Sequence, residues 1–328
     1  MKYLIAGLGS IGRRHLRNLR ALGETDIILY RTHQATLPDD DLAGLQVETD
    51  LRTALGCKPD GVIIANPTAL HLEIALPAIE MGAAVLIEKP LSHSLECVEV
   101  LEETARRTGS PILVGFHFRF HPTLQKAAGL LASGEIGQVL SVRAQWGEYL
   151  PDWHPWEDHK QSYAARPDLG GGVILTLCHP LDYLRWMVGE VNTVWAFTAA
   201  HNLGLPVEDS AEIGLRFASR AIGSLQLNYN QRPGVHHLEI VGSQGSLLWD
   251  NADGSLRVFT TKGNAWENFS PPAGFERNVM FADEMRHFLA VTRHEVQPVC
   301  TLQDGIRALK LALAARESAE TDRSIHIK

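Results

Sequence analysis

The first thirty residues constrain the fold of this chain more than any other stretch. Lys2–Ala6 is an apolar run of strand length, and it leads into the G-x-G-x-x-G loop Gly7–Gly12. A helical pattern with leucines on one face follows, and Asp26–Tyr30 has the composition of a second strand. The order strand, glycine loop, helix, strand is the setting in which such a loop has a physical role.

Each residue of the loop has a reason to be there. Gly7 permits a tight turn, Gly9 lets a pyrophosphate approach the backbone, and Gly12 lets the helix pack closely on the strand. The N–H groups of Ser10 and Ile11 open the helix and face the phosphates. The alternative is a glycine-rich turn in an unrelated α/β domain, and the two flanking strands favour dinucleotide binding over it.

The end of the second strand bears on the choice of cofactor. A site for NAD normally has an acidic residue there, which holds the ribose 2′-hydroxyl. This chain has Tyr30-Arg31-Thr32 instead. Arg31 suits a 2′-phosphate, because a guanidinium binds phosphate and stacks on adenine. The alternative is a solvated surface arginine. We predict an NAD(P) cofactor, with NADP favoured over NAD.

Bulk properties exclude several classes of partner. The chain has 328 residues, of which 45% are hydrophobic and 21% charged, and its net charge is −8. This balance predicts no nucleic-acid partner and no membrane partner. The four cysteines lie far apart without a C-x-x-C, so we expect a reducing compartment, no disulfide framework and no metal site. The chain opens directly on a strand, and no run reaches transmembrane length, so we expect a cytoplasmic protein.

Two different patterns divide the chain. Residues 1–120 alternate apolar strands with helical patterns, which predicts an α/β Rossmann domain with a doubly wound parallel sheet. Residues 121–328 contain many strands with alternating polar and apolar residues, which predicts an α+β domain with a large, mainly antiparallel open sheet. The expected strands of the first part, after the second strand, are Leu45–Glu48, Gly61–Ala65, Ala84–Glu88 and Ile112–Phe116. Those of the second part are Val139–Trp146, Thr193–Ala199, Ala211–Phe217, Ile222–Tyr229, His237–Val241, Ser246–Trp249 and Leu256–Thr260.

The expected helices flank these strands. Pro77 lies inside one helical pattern and should kink it. The expected helices are Ala69–Met81, Leu95–Thr108, Leu124–Ala132, Asp283–Thr292 and Leu302–Ala319.

Two candidate constellations follow parallel strands, at the ends where ligands bind in open α/β sheets. The first is Asn66-Pro67-Thr68 with His71, which could also be a helix entry capped by Thr68. In the second, a strand ends in Glu88-Lys89-Pro90. A lysine there can hydrogen-bond a substrate hydroxyl or polarise a carbonyl, and burial and neighbouring groups can lower the pKa of such a lysine into a useful range. The alternative is a surface Glu–Lys pair.

Two more constellations lie in the second part of the chain. His179 and Asp182, after the triple glycine Gly170–Gly172, share a helix face, and histidine suits proton transfer near neutral pH. The alternative is a helix that starts at Pro180, with Asp182 favoured by the helix dipole. The fourth constellation is a stretch with interleaved aromatic and charged residues, which suits a hydroxyl-rich ligand or forms a structural flap: Trp153, Trp156, Tyr163 and Arg166.

Taken together, these motifs resemble the glucose–fructose oxidoreductase/inositol dehydrogenase/MocA (Gfo/Idh/MocA) family over nearly the whole chain. Further residues that fit the family pattern are Arg13, His15, Gly115-Phe116, Arg119-Phe120, Pro122, Gly134–Gly137, Leu238–Gly242 and Asp304-Gly305.

The resemblance implies hydride transfer between nicotinamide and a carbon of a sugar, sugar derivative or cyclitol. It implies that Asn66, Pro67, Thr68, His71 and Glu88 border the cofactor. Lys89 would bind both the cofactor and the substrate oxygen, His179 would be the acid/base, and Arg119 would bind substrate. The family also includes NAD-dependent glycosidases, and a cofactor-binding regulator without activity is a third interpretation.

One departure from the family pattern concerns the acid/base. The family usually has an aspartate four residues before the histidine, whereas this chain has Leu175 there and is one residue shorter, with Thr176 three before His179. Asp182 is the candidate replacement for the lost carboxylate. The His-x-x-Asp-Tyr sequence resembles a branch associated with sugar nucleotides. The unpartnered sheet face of the second domain predicts a homodimer or homotetramer.

Overall fold

The computed structural model describes residues 1–32, 42, 44–200 and 202–327. The strands are β1 (Lys2–Ala6), β2 (Asp26–Tyr30), β3 (Gln46–Glu48), β4 (Gly61–Ile64), β5 (Ala84–Glu88), β6 (Ile112–Gly115), β7 (Val139–Tyr149), β8 (Val191–Ala199), β9 (Ser210–Phe217), β10 (Ile222–Asn228), β11 (Asn230–Gly242), β12 (Gly245–Asp250), β13 (Ser255–Thr260), β14 (Ala265–Phe269) and β15 (Ile325–His326). The α-helices are α1 (Ser10–Ala21), α2 (Leu51–Gly56), α3 (His71–Glu80), α4 (Val98–Thr108), α5 (Pro122–Ala132), α6 (Val173–Thr176), α7 (His179–Val188), α8 (Arg277–Thr292) and α9 (Leu302–Thr321).

The chain forms two compact units, and the first of them is discontinuous in sequence. One unit consists of Met1–His117 with Glu276–Ile306, and the other of Phe118–Phe275 with Arg307–Lys328. The first division falls close to residue 120, where the sequence pattern changes. The return of Glu276–Ile306 to the first unit has no counterpart in that pattern.

The first unit is built on a six-stranded sheet in the order β3-β2-β1-β4-β5-β6. Every neighbouring pair is parallel, and the order reverses between β1 and β4. Apart from the edge strand β3, its strands are mainly apolar, because helices cover both sides of such a sheet. The predicted doubly wound parallel sheet is confirmed. In this topology ligands bind at the carboxyl ends of the strands near the reversal point.

Helix α8 belongs to this unit although it follows the second sheet in sequence. It packs against α1 and β5. Phe288 of α8 lies against Tyr3 of β1, with ring centroids 6.4 Å apart. Gly61 of β4 leaves room for this pair, since a Cβ there would lie 2.8 Å from the Tyr3 ring. The helix therefore completes the core of the first unit.

The second unit contains a nine-stranded sheet in the order β14-β13-β12-β11-β7-β10-β9-β8-β15. Every neighbouring pair is antiparallel except β7 and β10, which are parallel. The predicted large, mainly antiparallel sheet is confirmed. Helices α5, α6 and α7 pack on one face. Alternation is clear in β10, where Leu225 and Leu227 are buried while Ser224 and Gln226 face the other way.

Some elements differ from the sequence expectation. Helix α2 and strand β15 were not predicted, because each is short, and strand β14 was not predicted because its residues are almost all exposed and show no apolar alternation. Asp50 nevertheless caps α2 by accepting a hydrogen bond from the backbone N of Thr53 at 2.8 Å. Strand β11 starts at Asn230, well before the expected His237. Asn230 already pairs with β7, and after an irregularity in the register the pairing continues from Val235. Pro77 lies inside α3, as expected.

Among the residues described, no helix combines the length and the apolar character that a bilayer crossing would need.

Candidate active site

The glycine loop is held by close backbone contacts within the first unit. Gly7 has φ +89°, and its N–H donates to the carbonyl oxygen of Tyr30 at 3.1 Å. A Cβ on Gly7 would lie 2.5 Å from the backbone N of Asn66, and one on Gly12 would lie 1.9 Å from the carbonyl oxygen of Gly7. Both positions therefore require glycine, as the sequence predicts.

Gly9 differs from the other two glycines because the space beside it is open. No described atom lies within 4 Å of a Cβ built there. Gly9 is the N-cap of α1, no side chain in the described structure caps the helix, and its first turn has no acidic residue. The first turn of α1 therefore contributes no carboxylate that would compete for the N–H groups of Ser10 and Ile11. The loop fits the pyrophosphate of a dinucleotide.

Arg31 follows β2 at the edge where the ribose of a dinucleotide is expected. Its backbone N donates to the carbonyl oxygen of Glu48 on β3 at 3.1 Å, and the residue is buried. The chain that follows, residues 33–41 and 43, lies outside the described residues. The role of Arg31 in cofactor choice stays a prediction.

The first predicted constellation lies at the end of β4. Thr68 is buried in a single 3₁₀ turn before α3. The two ring nitrogens of His71 each lie 3.0 Å from a carbonyl oxygen, Nδ1 from Pro90 and Nε2 from Asn66. Burial lowers the pKa of His71, while its contacts with these carbonyl oxygens and the charge of Glu88 act in the opposite direction. His71 therefore ties the segments that follow β4 and β5, which positions Asn66 and Pro67.

The second constellation lies at the end of β5, on the same edge of the sheet. Glu88 is buried, and its Oε1 lies 2.7 Å from Nε2 of His15 on α1. Burial acts to raise the pKa of Glu88, but the hydrogen bond and charge of His15, together with Lys89 and His71, lower it. The backbone N of Lys89 lies 3.3 Å from Glu88 Oε2. A fixed carboxylate thus precedes Lys89, which is followed by a cis bond to Pro90.

The third constellation is in the second unit, where α7 begins at His179 with Pro180 in its first turn. His179 is buried between aromatic rings. The edge of Phe118 meets it at a centroid distance of 5.0 Å, and Trp146 of β7 lies 5.6 Å away. These rings fix the plane of the imidazole that the family resemblance predicts to be the acid/base.

Sequence reasoning missed the residues that surround His179. His236 of β11 stacks on Trp146 with centroids 4.4 Å apart and an interplanar angle of 1°. The hydroxyl of Tyr183 lies 3.2 Å from Nε2 of His236. The alternation of residues along the strand predicts that Trp146 points inward, but it does not indicate that His236 is its neighbour. Trp146, which is held by this stacking, packs against one side of His179.

Asp182, the candidate replacement for the lost aspartate, is held by Arg119. The Arg119 Nε donates to Oδ2 of Asp182 at 2.9 Å, and Nη2 donates to Oδ1 at 2.6 Å. Both side chains are buried. The guanidinium expected to bind substrate therefore forms a bidentate ion pair, which anchors α7 next to His179.

The position of the missing aspartate is occupied by buried residues of α6. Leu175 and Thr176 are both buried. An aliphatic side chain and a hydroxyl thus stand where the family pattern has a carboxylate.

The aromatic residues of the fourth constellation are spread along a stretch of short 3₁₀ turns. Trp153 meets Tyr229 edge-on, with centroids 5.6 Å apart. Trp156 is exposed, and its ring lies 5.1 Å from that of His154. Tyr163 begins a 3₁₀ turn, and Arg166 donates from Nε to Oδ1 of Asp168 at 3.1 Å. Trp153 thus packs against Tyr229, while Arg166 is paired with Asp168 at the surface.

Both halves of the chain match known protein families. Residues 1–116 match a family described as oxidoreductases with an NAD-binding Rossmann fold, and residues 124–248 match the Gfo/Idh/MocA C-terminal domain. The chain belongs to the Gfo/Idh/MocA family. Its members are oxidoreductases, and this protein is a dehydrogenase or reductase with a nicotinamide cofactor. The resemblance drawn from the motifs is confirmed.

Relatives and solved structures extend over most of the chain. The 1,5-anhydro-D-fructose reductase of Ensifer adhaerens is 29% identical over 275 residues, which cover 82% of this chain and 80% of the relative. The myo-inositol 2-dehydrogenase of Thermotoga maritima is 26% identical, covering 100% and 99% of the two chains. A levoglucosan dehydrogenase in complex with NADH has the same fold, with a TM-score of 0.89 at 21% identity and coverage of 100% and 99%.

Proposed function

We propose that this member of the family transfers a hydride between nicotinamide and a carbon of a sugar, sugar derivative or cyclitol. The observation that carries the proposal is the edge of the first sheet. At this edge, the glycine loop leaves open space beside Gly9, and no described side chain caps the helix that follows it. Lys89 lies at the same edge, directly after Glu88, whose carboxylate is held by His15. Relatives named for an anhydrofructose and an inositol support this substrate class.

The roles of the side chains follow from their chemistry. When bound, the nicotinamide supplies the hydride chemistry. Lys89 donates a hydrogen bond to the reacting oxygen of the substrate and stabilises negative charge that develops on it. His179 takes or gives the hydroxyl proton, with its ring plane held by Phe118 and Trp146. Ser10 and Ile11 bind the pyrophosphate through their backbone N–H groups.

The test is a substrate panel of free sugars, sugar nucleotides and cyclitols, assayed by the absorbance of reduced nicotinamide. Steady oxidation or reduction of the cofactor with one class supports the proposal. Release of an aryl leaving group without net cofactor reduction would identify the glycosidase instead. Cofactor binding without turnover of any compound would support the regulator, for which the lost carboxylate at Leu175 is the relevant observation.

For the cofactor we propose a preference for NADP, based on Arg31 at the position where NAD sites have an acid. Arg31→Ala should weaken NADPH binding by about 10- to 100-fold, because a hydrogen bond to a charged group contributes about 1.5–3 kcal/mol. NADH binding should change little. Arg31→Lys is the matched control, since it keeps the charge but loses the planar fork. Fluorescence titration of both cofactors measures the effect, and equal weakening of the two would refute the role of Arg31.

We also propose that the outer face of the second sheet binds a second copy of this chain. This face, opposite α5–α7, carries Trp195, Phe197 and Ile222, which are 37%, 55% and 59% exposed. Trp195 and Phe197 touch edge-on, with centroids 3.8 Å apart. Two copies related by a two-fold axis would bury these residues against each other, in a homodimer or as part of a homotetramer.

Light scattering at micromolar concentration should therefore give the mass of a dimer or tetramer. Replacing both Trp195 and Phe197 by glutamate should shift the mass towards the monomer, because the charges would be buried without partners. Val100→Glu is the matched control, since Val100 is 55% exposed on α4 of the other unit. A monomeric wild type, or a double variant of unchanged mass, would contradict the proposal.

A further inference from the structure

A buried cluster of three titratable side chains lies behind Lys89, within the first unit. It consists of His15 on α1, Glu88 at the end of β5 and Glu284 on α8, and their ligand-type atoms lie within 4.8 Å of one another. Glu284 is 0% exposed. The mechanism above makes no use of Glu284, and nothing in its sequence context distinguishes it from other helix residues.

Glu88 has partners that keep it ionised. His15 Nε2 lies 2.7 Å from its Oε1, and the backbone N of Lys89 lies 3.3 Å from its Oε2. Gly115 on the neighbouring strand leaves room for the carboxylate, since a Cβ there would lie 3.2 Å from Oε2. The side chain of Glu88 is therefore fixed on three sides and holds the first peptide of the Lys89 segment.

Glu284 stands in the opposite situation. Neither of its carboxyl oxygens has a hydrogen-bond partner among the described residues. Burial, and then the negative charge of Glu88, raise its pKa well above the usual range. A buried carboxylate without a partner costs several kcal/mol or more, and such a group takes up a proton instead. A neutral carboxylic acid also has an O–H to donate.

We propose that Glu284 is a neutral carboxylic acid in the folded protein, and that it shares its proton with Glu88 through one water molecule and so positions Lys89. The ligand-type atoms of the cluster lie within 4.8 Å of one another, a distance that a single bridging water can span. Glu284 is thus a positioning residue, acting through Glu88, and this part of the inference rests on the role proposed for Lys89.

The same donors could in principle hold a divalent cation, but the surroundings favour a proton. The 2.7 Å contact between His15 and Glu88 already has the length of a hydrogen bond. The facing groups carry positive charge: the charges of Arg277, Lys89 and Arg14, after burial, lower the pKa of the neighbouring His117. Another cation would add to this repulsion.

Infrared spectroscopy tests the proton directly. A protonated carboxyl group has a C=O band separate from the carboxylate bands. The wild type at neutral pH should show this band, and Glu284→Gln should lose a component of it. Glu208→Gln is the control, because Glu208 is a partly buried glutamate of the other unit and its replacement should leave the Glu284 component unchanged. A spectrum unchanged by Glu284→Gln would overturn the proposal. So would a stoichiometric metal ion in the wild type that disappears in this variant.

The pH dependence of unfolding gives a second readout. The folded pKa of Glu284 lies above its unfolded value of 4.5. The folded state therefore keeps a proton that the unfolded chain releases, so stability is greatest below that value and falls as pH rises towards the folded pKa. Glu284→Gln cannot ionise, so its Tm should exceed that of the wild type by about 2 °C or more near pH 8, and by less near pH 5. An equal change in Tm at both pH values would contradict the neutral acid.

Activity separates positioning from mere packing. Glu284→Gln keeps a donor and should retain kcat within about twofold, whereas Glu284→Leu removes it and should lower kcat about tenfold with the cofactor Kd unchanged, the tenfold corresponding to about 1.4 kcal/mol. Wild-type kcat in Glu284→Leu would refute the positioning role. An inactive wild type would instead refute the proposed function, while the infrared and unfolding results would still decide the protonation of Glu284.

Discussion

Lys89→Ala and His179→Ala should each lower kcat by about 10²- to 10⁴-fold, the usual contribution of a positioned proton-transfer group. In the proposed reaction, Lys89 stabilises negative charge on the substrate oxygen, and His179 moves its proton. Neither change should affect the affinity for the cofactor by more than a small factor, since the proposal assigns the pyrophosphate to the backbone of the glycine loop. Steady-state kinetics and cofactor titration on the same preparations measure both effects.

Two controls make this result specific. Lys310→Ala removes an exposed lysine of α9 and should leave kcat unchanged. Added imidazole should restore part of the activity of His179→Ala, because it can replace the missing base. Full activity in His179→Ala would mean that another residue transfers the proton, with Tyr163 as the first candidate. Absence of activity in the wild type as well would favour the non-enzymatic interpretation.

Alanine at Gly9 and at Gly12 should have different effects, although the two residues are in one motif. At Gly9 the new methyl group meets open space in the protein, so stability should be unchanged. It would occupy the path of the pyrophosphate, and the loss of one hydrogen bond to a charged group should weaken cofactor binding by about 10- to 100-fold. At Gly12 the methyl group would lie 1.9 Å from the carbonyl oxygen of Gly7. We expect a loss of about 1–3 kcal/mol or more, as in an overpacked core.

Thermal unfolding without cofactor separates the two variants. Gly12→Ala should lower Tm by several degrees and also weaken cofactor binding, because the loop must move. Gly9→Ala should match the wild type in Tm while failing in the titration. If both variants unfold like the wild type and bind cofactor normally, the loop is not the pyrophosphate site.

Local patterns were sufficient for most of the fold. Apart from β3, the strands of the first sheet are mainly apolar runs, and β10 alternates, so each type of sheet could be predicted from its pattern. The short elements escaped because α2 has six residues and β15 has two. Such lengths give too few positions for a period to appear. Pro233 and Gly234 hid the first part of β11 for a related reason, since neither residue is typical of a strand.

Candidate site residues could be predicted only where they lie in the glycine loop or directly after a predicted strand. Lys89 and the loop residues satisfy that condition. Trp146 and His236 do not, because their contact arises from the pairing of β7 with β11 across a long separation in sequence. The ion pair of Arg119 with Asp182 is another example, since a single sequence does not show which charged residues are brought together. Both contacts became apparent only from the three-dimensional structure.

The discontinuity of the first unit has a practical consequence for protein engineering. A fragment that stops at residue 117 would lack α8, leaving Tyr3 without Phe288, and the cluster of His15 and Glu88 without Glu284. Such a fragment would expose an apolar surface that the complete chain covers, and it should aggregate. Exchange of the cofactor-binding half with a relative therefore requires two crossovers that transplant Glu276–Ile306 as well. Joining this segment to residue 117 by a short linker offers a way to obtain that half alone.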